Sequence, residues 1–286
     1  QLAQEATGEV SAELIDPAAF AALPPPSPGD IFFDFEGDPM WTEPGSGRWG
    51  LEYLFGIVET PVNPGGPPPF RTFWAHDRAQ ERQALIDFLA YVAARRAEYP
   101  DLHIYHYADY ERSRLLRLAA RYGVGEAEVD QLLRDGVLVD LYAVVRAGVR
   151  VSQDSYSIKK LEPLYMGEDL RAGSVATGGE SVVAYHEFVQ AGIEGRHEEA
   201  AQRLEAIRAY NEYDCLSTLR LRDWLLDQAR AAGIEPVATG TPPAAVEAPD
   251  PAGSGARKPG RWARAEELEA RLRRVTDTFG ASCRSA

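Results

Sequence analysis

Cysteine is almost missing from the chain: Cys215 and Cys283 are the only two in 286 residues. Two cysteines build no disulfide framework, and no Cys-x-x-Cys pair exists to hold zinc. A reducing cytoplasm is the expected setting. Long apolar runs are missing too. None approaches the ~18 residues of a membrane span, so no membrane partner is expected. The chain begins at Gln1, without an initiator Met or a basic-apolar leader, and reads as a segment of a longer protein, not a secretory precursor. Basic charge is in deficit, with 30 Lys and Arg against 44 Asp and Glu and a formal net charge of −14. That balance argues against a protein that coats nucleic acid non-specifically, since such binders are usually basic. A nuclease remains compatible, because acids gathered around metal ions add formal charge that the cations cancel. The glycines between Gly167 and Gly179 and at Gly253 and Gly255 are not followed by Gly-Lys-Ser/Thr, so no nucleotide hydrolysis is expected.

Hydrophobic residues make up 45% of the chain and charged residues 26%, as a globular protein with a sizeable core requires. Residues 1–29 end in Leu23-Pro24-Pro25-Pro26-Ser27-Pro28-Gly29 and are expected to be a lead-in linker. Residues 30–233 carry the globular pattern. Residues 234–260 are rich in Pro, Ala and Gly and are expected to be a flexible tether. Residues 261–286 carry a charged helical pattern, expected to lead into a downstream region.

Within 30–233 the first elements are strands: Ile31–Glu36, Leu51–Val58 and Phe70–Ala75. A helix over Arg78–Glu98 follows, with Leu85, Phe88, Leu89 and Val92 on one face. Then come a strand at Leu102–Tyr105, helices at Glu111–Tyr122 and Glu126–Arg134, and a strand at Val137–Val139. Helices from Asp140, near Ile158–Tyr165 and over Glu198–Ala232 complete the pattern. Three strands on short loops predict an antiparallel meander, and the later strands alternating with helices predict parallel additions. The expected fold class is α/β, a mixed sheet flanked by helices, with ligands beyond the carboxyl ends of its parallel strands.

Three patterns carry chemistry. In Asp34-Phe35-Glu36 the acids share one strand face and the phenylalanines take the other. Two carboxylates about 7 Å apart on a buried strand need a cation between them, and Mg²⁺ suits such a place; solvated acids on a surface strand are the plainer alternative. In His106-Tyr107-Ala108-Asp109-Tyr110-Glu111, acids open a helix, where the helix dipole alone would favour them. Glu111 is the better metal candidate, and Asp109 could instead cap the helix. In Tyr210-Asn211-Glu212-Tyr213-Asp214, the phenol and the last carboxylate lie four residues apart on one helix face. They could address the same metal-bound water, or the tyrosine could simply pack on the core.

Together the three resemble, in order and rough spacing, the DEDD exonuclease superfamily in its tyrosine-bearing branch, on an RNase H-like fold. Further stretches, among them Phe33–Pro39, Gly50–Gly56, Val139–Tyr142, Ser155–Tyr165 and Tyr210–Cys215, are similar to the YprB-type domain of RecB-like nuclease and helicase fusions. The resemblance covers about residues 29–230. It implies Asp34, Glu36, Glu111 and Asp214 as metal ligands and Tyr210 as the residue that positions water. It implies two Mg²⁺ or Mn²⁺ ions, 3′–5′ cleavage of single-stranded DNA in preference to RNA, a helicase domain in the same protein, and a role in DNA repair or processing. One departure stands out: the second motif usually supplies Asp, and here Glu111 takes its place with Asp109 nearby as an alternative ligand. A catalytically weak domain that binds nucleic acid or docks a helicase, and a structure-specific endonuclease, stay open as alternatives.

In a two-metal site the cations clamp the attacking and leaving oxygens. Asp34, deepest in its strand, is the expected bridging ligand. Tyr210, with an ordinary pKa near 10, is expected to orient water and not to take its proton. Lys159 and Lys160 are the expected phosphate contacts, with Arg112, Arg114 and Arg146 behind them. Trp41, Trp49 and Trp74 could stack bases. Asp140 could cap its helix or support the site.

Overall fold

The computed structural model describes residues 10–234 except positions 44, 46, 62, 64, 65, 170, 172 and 173. The expected tether and C-terminal helix lie outside the described residues. Aromatic and β-branched runs form the central strands: β2 (Ile31–Thr42), β3 (Trp49–Glu59) and β4 (Phe70–Trp74) are antiparallel neighbours. The short strands β5 (Ile104–His106) and β6 (Leu138–Asp140) add in parallel beside β2. The sheet order is therefore β4-β3-β2-β5-β6, the mixed sheet expected from the order of the elements.

Alternation along β2 builds two layers. Ile31, Phe33 and Phe35 enter a core shared with α2 (Arg78–Glu98), α3 (Tyr110–Tyr122) and α4 (Glu126–Arg134). Phe32 faces the other way, into a core with α5 (Leu141–Gly148) and the 35-residue helix α8 (His197–Ala231). Asp34 and Glu36 continue the Phe32 row. The β2–β5 pairing runs only from Ile31 to Phe32 on the β2 side, so both acids lie just past the carboxyl end of the parallel pair.

Three elements depart from expectation. Residues 12–23 are not linker: β1 (Ala12–Leu14) pairs antiparallel with β7 (Val149–Val151), and Phe20 of α1 (Pro17–Ala21) and Leu23 are buried in the α8-side core. The Pro-rich run after Leu23 masked this, but one large apolar residue is enough to anchor a short helix when Gly148 leaves it room. A Cβ on Gly148 would lie 2.5 Å from the Phe20 ring. Strand β2 runs six residues past Glu36, through register shifts at Glu36/Gly37 and Asp38/Thr42. Helix α7 (Gly178–Ile193) was not anticipated, although Thr177 and Glu180 stand three apart as in a capping box and the Thr177 side chain accepts from the Glu180 N–H. Its buried face is built largely from Ser181, Ala184, Tyr185 and Ala191, which carry a weak hydrophobic period. The segments near Ile158–Tyr165 form α6 (Ile158–Leu161) and a 3₁₀ turn (Glu162–Leu164). Among the described residues, no helix is long and apolar enough to cross a membrane.

Candidate metal centre

Strand β2 and helix α8 bring three carboxylates together. Asp34, Glu36 and Asp214 each offer an oxygen, and these lie within 4.8 Å of one another. Glu36 is buried, while Asp34 and Asp214 are half-buried. Burial, and then repulsion from Asp214, Glu36 and Glu111, raise the Asp34 pKa well above the usual carboxylate range; the Asn211 amide pulls it back in part. Burial and Asp214 raise Glu36 likewise, against the opposing pull of Ser181 and Lys159. Like charges held this close call for a cation. The donor set suits one: carboxylate oxygens are the ligands that hard divalent ions take.

Glu111 is the second residue of α3 and is buried beside the triad, where its charge raises Asp34. Its Oε2 lies 3.6 Å from His106 Nδ1 and has no hydrogen-bond partner among the described residues, so a donor or cation could still claim it. The loop that places it is tightly tied. His106 Nδ1 lies 2.7 Å from the Ala108 carbonyl, and the Ala108 N–H donates to Asp140 at 2.8 Å. Ala108 takes a left-handed φ of 70°, a conformation an alanine adopts only when its surroundings impose it. Asp140 also caps α5 through the Tyr142 N–H at 2.9 Å. Asp109, by contrast, is 70% exposed and paired with Arg112. It occupies the N-cap position of α3 without making a side-chain cap.

Tyr210 is buried over the triad, and Lys159 Nζ donates to its hydroxyl at 3.3 Å and to the Ala176 carbonyl at 2.6 Å. Burial and the charges of Asp214, Glu36 and Asp34 push the Tyr210 phenol far above its ordinary pKa. In the metal-free site these groups hold the phenol in its protonated form. Lys160 does not share this position: it is half-exposed, 3.9 Å from Asp154. Of Trp41, Trp49 and Trp74, Trp49 is the exposed one, at 58%. Trp41 lies under Arg78 and Trp74 against His76. Arg112 pairs with Asp109, Arg114 with Glu52, and Arg146 donates to Tyr142.

With this geometry in view, the match of the RNase H superfamily model to residues 31–226 is decisive. The chain belongs to the RNase H superfamily. That membership indicates a nuclease-type hydrolase that acts on nucleic acid and, as is usual in the superfamily, uses divalent metal ions. No curated protein and no solved structure matches the chain at a significant level.

Several supports of this RNase H-like site escaped the sequence reading. Asn211, fully buried, donates to Asp34 Oδ2 at 2.8 Å. It fits only because residue 56 is glycine, where a Cβ would fall 1.5 Å from Asn211 Oδ1. Ser181 of α7 lies 2.7 Å from the Tyr53 hydroxyl, and its hydroxyl offsets part of the rise in the Glu36 pKa. Arg171 bonds both Glu162 and Asp214. Glu52 lodges where Gly37 lacks a side chain, with Tyr110 donating to it at 3.0 Å and Arg114 ion-paired with it at 3.2 Å. It thereby ties the start of α3, and so Glu111, to β3, the strand paired with β2.

Burial lifts the Glu52 carboxyl to about 7, against the pull of Arg114. A folded-state pKa above the ordinary value means that the native chain holds the proton more tightly than the unfolded one. Its contribution to stability is complete below about pH 4.5 and is lost as the pH rises through 7. Glu52→Gln is therefore expected to flatten the pH dependence of stability between pH 5 and 8, by roughly 3 kcal/mol at most. Urea unfolding of both proteins at several pH values checks this; parallel curves would contradict it.

Proposed function

We propose that this domain is a divalent-metal-dependent 3′–5′ exonuclease of the tyrosine-bearing DEDD type. Its substrate is single-stranded nucleic acid, DNA in preference to RNA. The observation that carries the reading is the meeting of Asp34, Glu36 and Asp214 within 4.8 Å, beside Tyr210 and Glu111. Asp34, Glu36, Glu111 and Asp214 would hold two ions, Mg²⁺ or Mn²⁺. Bound divalent ions supply the positive charge that activates water and stabilises the leaving oxygen. The chain's own groups do the aligning. Asn211 fixes Asp34, and the protonated phenol of Tyr210 orients the attacking water. Lys159, beside that phenol, faces the phosphate, with Lys160 further along the strand's path. The similarity to YprB-type domains supports a helicase in the same protein and work in DNA repair or processing. The single buried thiol among the described residues, Cys215, suits a cytoplasmic setting.

A second reading rests on Glu111. It replaces the Asp usual in the second motif and stands outside the tight triad, which favours a weakly catalytic domain that binds nucleic acid or docks a helicase. End-labelled single-stranded DNA and RNA, incubated with Mg²⁺, Mn²⁺ or EDTA, separate the two. Metal-dependent laddering from the 3′ end supports the exonuclease. A folded, metal-binding protein that leaves both strands intact supports the docking domain. Tyr210→Phe is expected to slow cleavage on the order of a hundredfold, as loss of one positioned donor does, while leaving Mn²⁺ affinity unchanged. Equal losses in both would remove Tyr210 from its water-orienting role.

A further inference from the structure

Asp214 already has a cation beside it. Arg171 lies between the 3₁₀ turn and α7, and its Nη2 bonds Asp214 Oδ1. The same guanidinium grips Glu162 from Nε at 3.0 and 3.1 Å and from Nη2 at 2.6 Å. Its carbon stands 4.7 Å from the Tyr213 ring centre and 5.5 Å from that of Tyr210. Glu162 is buried and receives the Ser217 hydroxyl at 3.3 Å from α8, the helix that carries Asp214. So Glu162 fixes where Arg171 can stand, and that place is against one member of the carboxylate triad. A planar fork with several donors can serve two carboxylates at once, which a lysine cannot do.

We propose that Arg171 is a positioning residue that acts as the resident counter-ion of Asp214, so that a divalent cation must share Asp214 with it and the cation affinity of the site is set by Arg171. This rests on the reading of Asp34, Glu36 and Asp214 as cation ligands. Two consequences follow from charge alone. The buried acids are partly compensated in the metal-free protein, which lets the site form before it is loaded. The fixed positive charge also weakens cation binding, so full loading favours the state in which a negatively charged phosphate is present as well.

The test is a titration of the protein with Mn²⁺ alone, free Mn²⁺ being read by electron paramagnetic resonance and folding by circular dichroism. Arg171→Gln removes the charge while keeping one amide donor group; it is expected to bind Mn²⁺ at least about tenfold tighter. Arg171→Lys keeps the charge but cannot span both carboxylates, and its affinity should fall between those of the wild type and Arg171→Gln. Glu162→Gln removes the competitor for Arg171 and a nearby negative charge, and should bind Mn²⁺ more weakly. A merely structural Arg171 predicts weaker binding in every folded variant. If the wild type binds Mn²⁺ and folded Arg171→Gln binds it equally or more weakly, this proposal falls and the metal-centre reading stands. If neither protein binds Mn²⁺, both fall.

Discussion

Asp34→Asn is expected to lower metal-dependent cleavage on the order of a thousandfold or more, about 4 kcal/mol of barrier, and to weaken Mn²⁺ binding with it. Of the four acids, Asp34 is the one whose pKa is raised by all three others, Asp214, Glu36 and Glu111. It therefore sits at their electrostatic centre, where a ligand shared between two ions would have to be. The amide keeps the shape of the carboxylate and its oxygen can still accept from Asn211, so packing is preserved while the charge is lost. Removing one of several mutually repelling buried acids relieves the rest. The metal-free variant should therefore melt at the same temperature as the wild type or a few degrees higher. Function is lost and stability kept, the usual relation where a site is built from unfavourable neighbours. A variant that unfolds would show Asp34 to be structural, and one that cleaves normally would remove it from the chemistry. Thermal melts and cleavage assays on the same preparation distinguish these outcomes.

The parts of this design that were legible beforehand are those written in local pattern. Ile31 to Glu36 announces a buried strand by its aromatics, and the two acids are conspicuous because such a strand seldom carries charge. The i, i+4 spacing of Tyr210 and Asp214 needs only the helix to put both on one face. What stayed hidden depends on partners far away in sequence. Asn211 lies inside the motif, but its bond to Asp34 spans 177 positions and needs Gly56 on a third element. Arg171 resembles any loop arginine until Glu162 and Asp214 are seen beside it. Lys159 and Lys160 are adjacent and chemically equal; only the direction of α6 sends one to Tyr210 and the other towards Asp154. Phe20 had no periodic neighbours to mark it as core, and α7 buries small residues that leave little trace in a hydrophobic pattern.

Asp30→Ala is expected to destabilise the fold by about 3–5 kcal/mol, the range for breaking a buried ion pair by removing one partner. Asp30 immediately precedes β2 and has no exposed surface. It accepts from the Ser27 N–H at 2.8 Å, the His103 N–H at 2.9 Å and the Arg222 guanidinium at 2.8 Å. Arg222 comes from α8, is only 4% exposed, and lies over the rings of Phe32 and Tyr105 at 4.8 and 5.2 Å. Without Asp30 its remaining acidic partner is Asp223, which is 54% exposed, and two backbone donors lose their acceptor. The pair clamps α8 to β2 and β5, and the same two elements, β2 and α8, carry Asp34 and Asp214. The variant should thus also loosen the carboxylate triad and weaken Mn²⁺ binding, though by less than Asp34→Asn. Replacing both partners tests whether charge or shape matters. Asp30→Asn with Arg222→Met leaves no orphaned charge and should recover most of the lost stability. Urea unfolding of Asp30→Asn, Arg222→Met and the double variant closes the cycle. A loss below about 1 kcal/mol for Asp30→Ala would place the pair with solvated surface bridges and would take the clamp out of the account of how the triad is held.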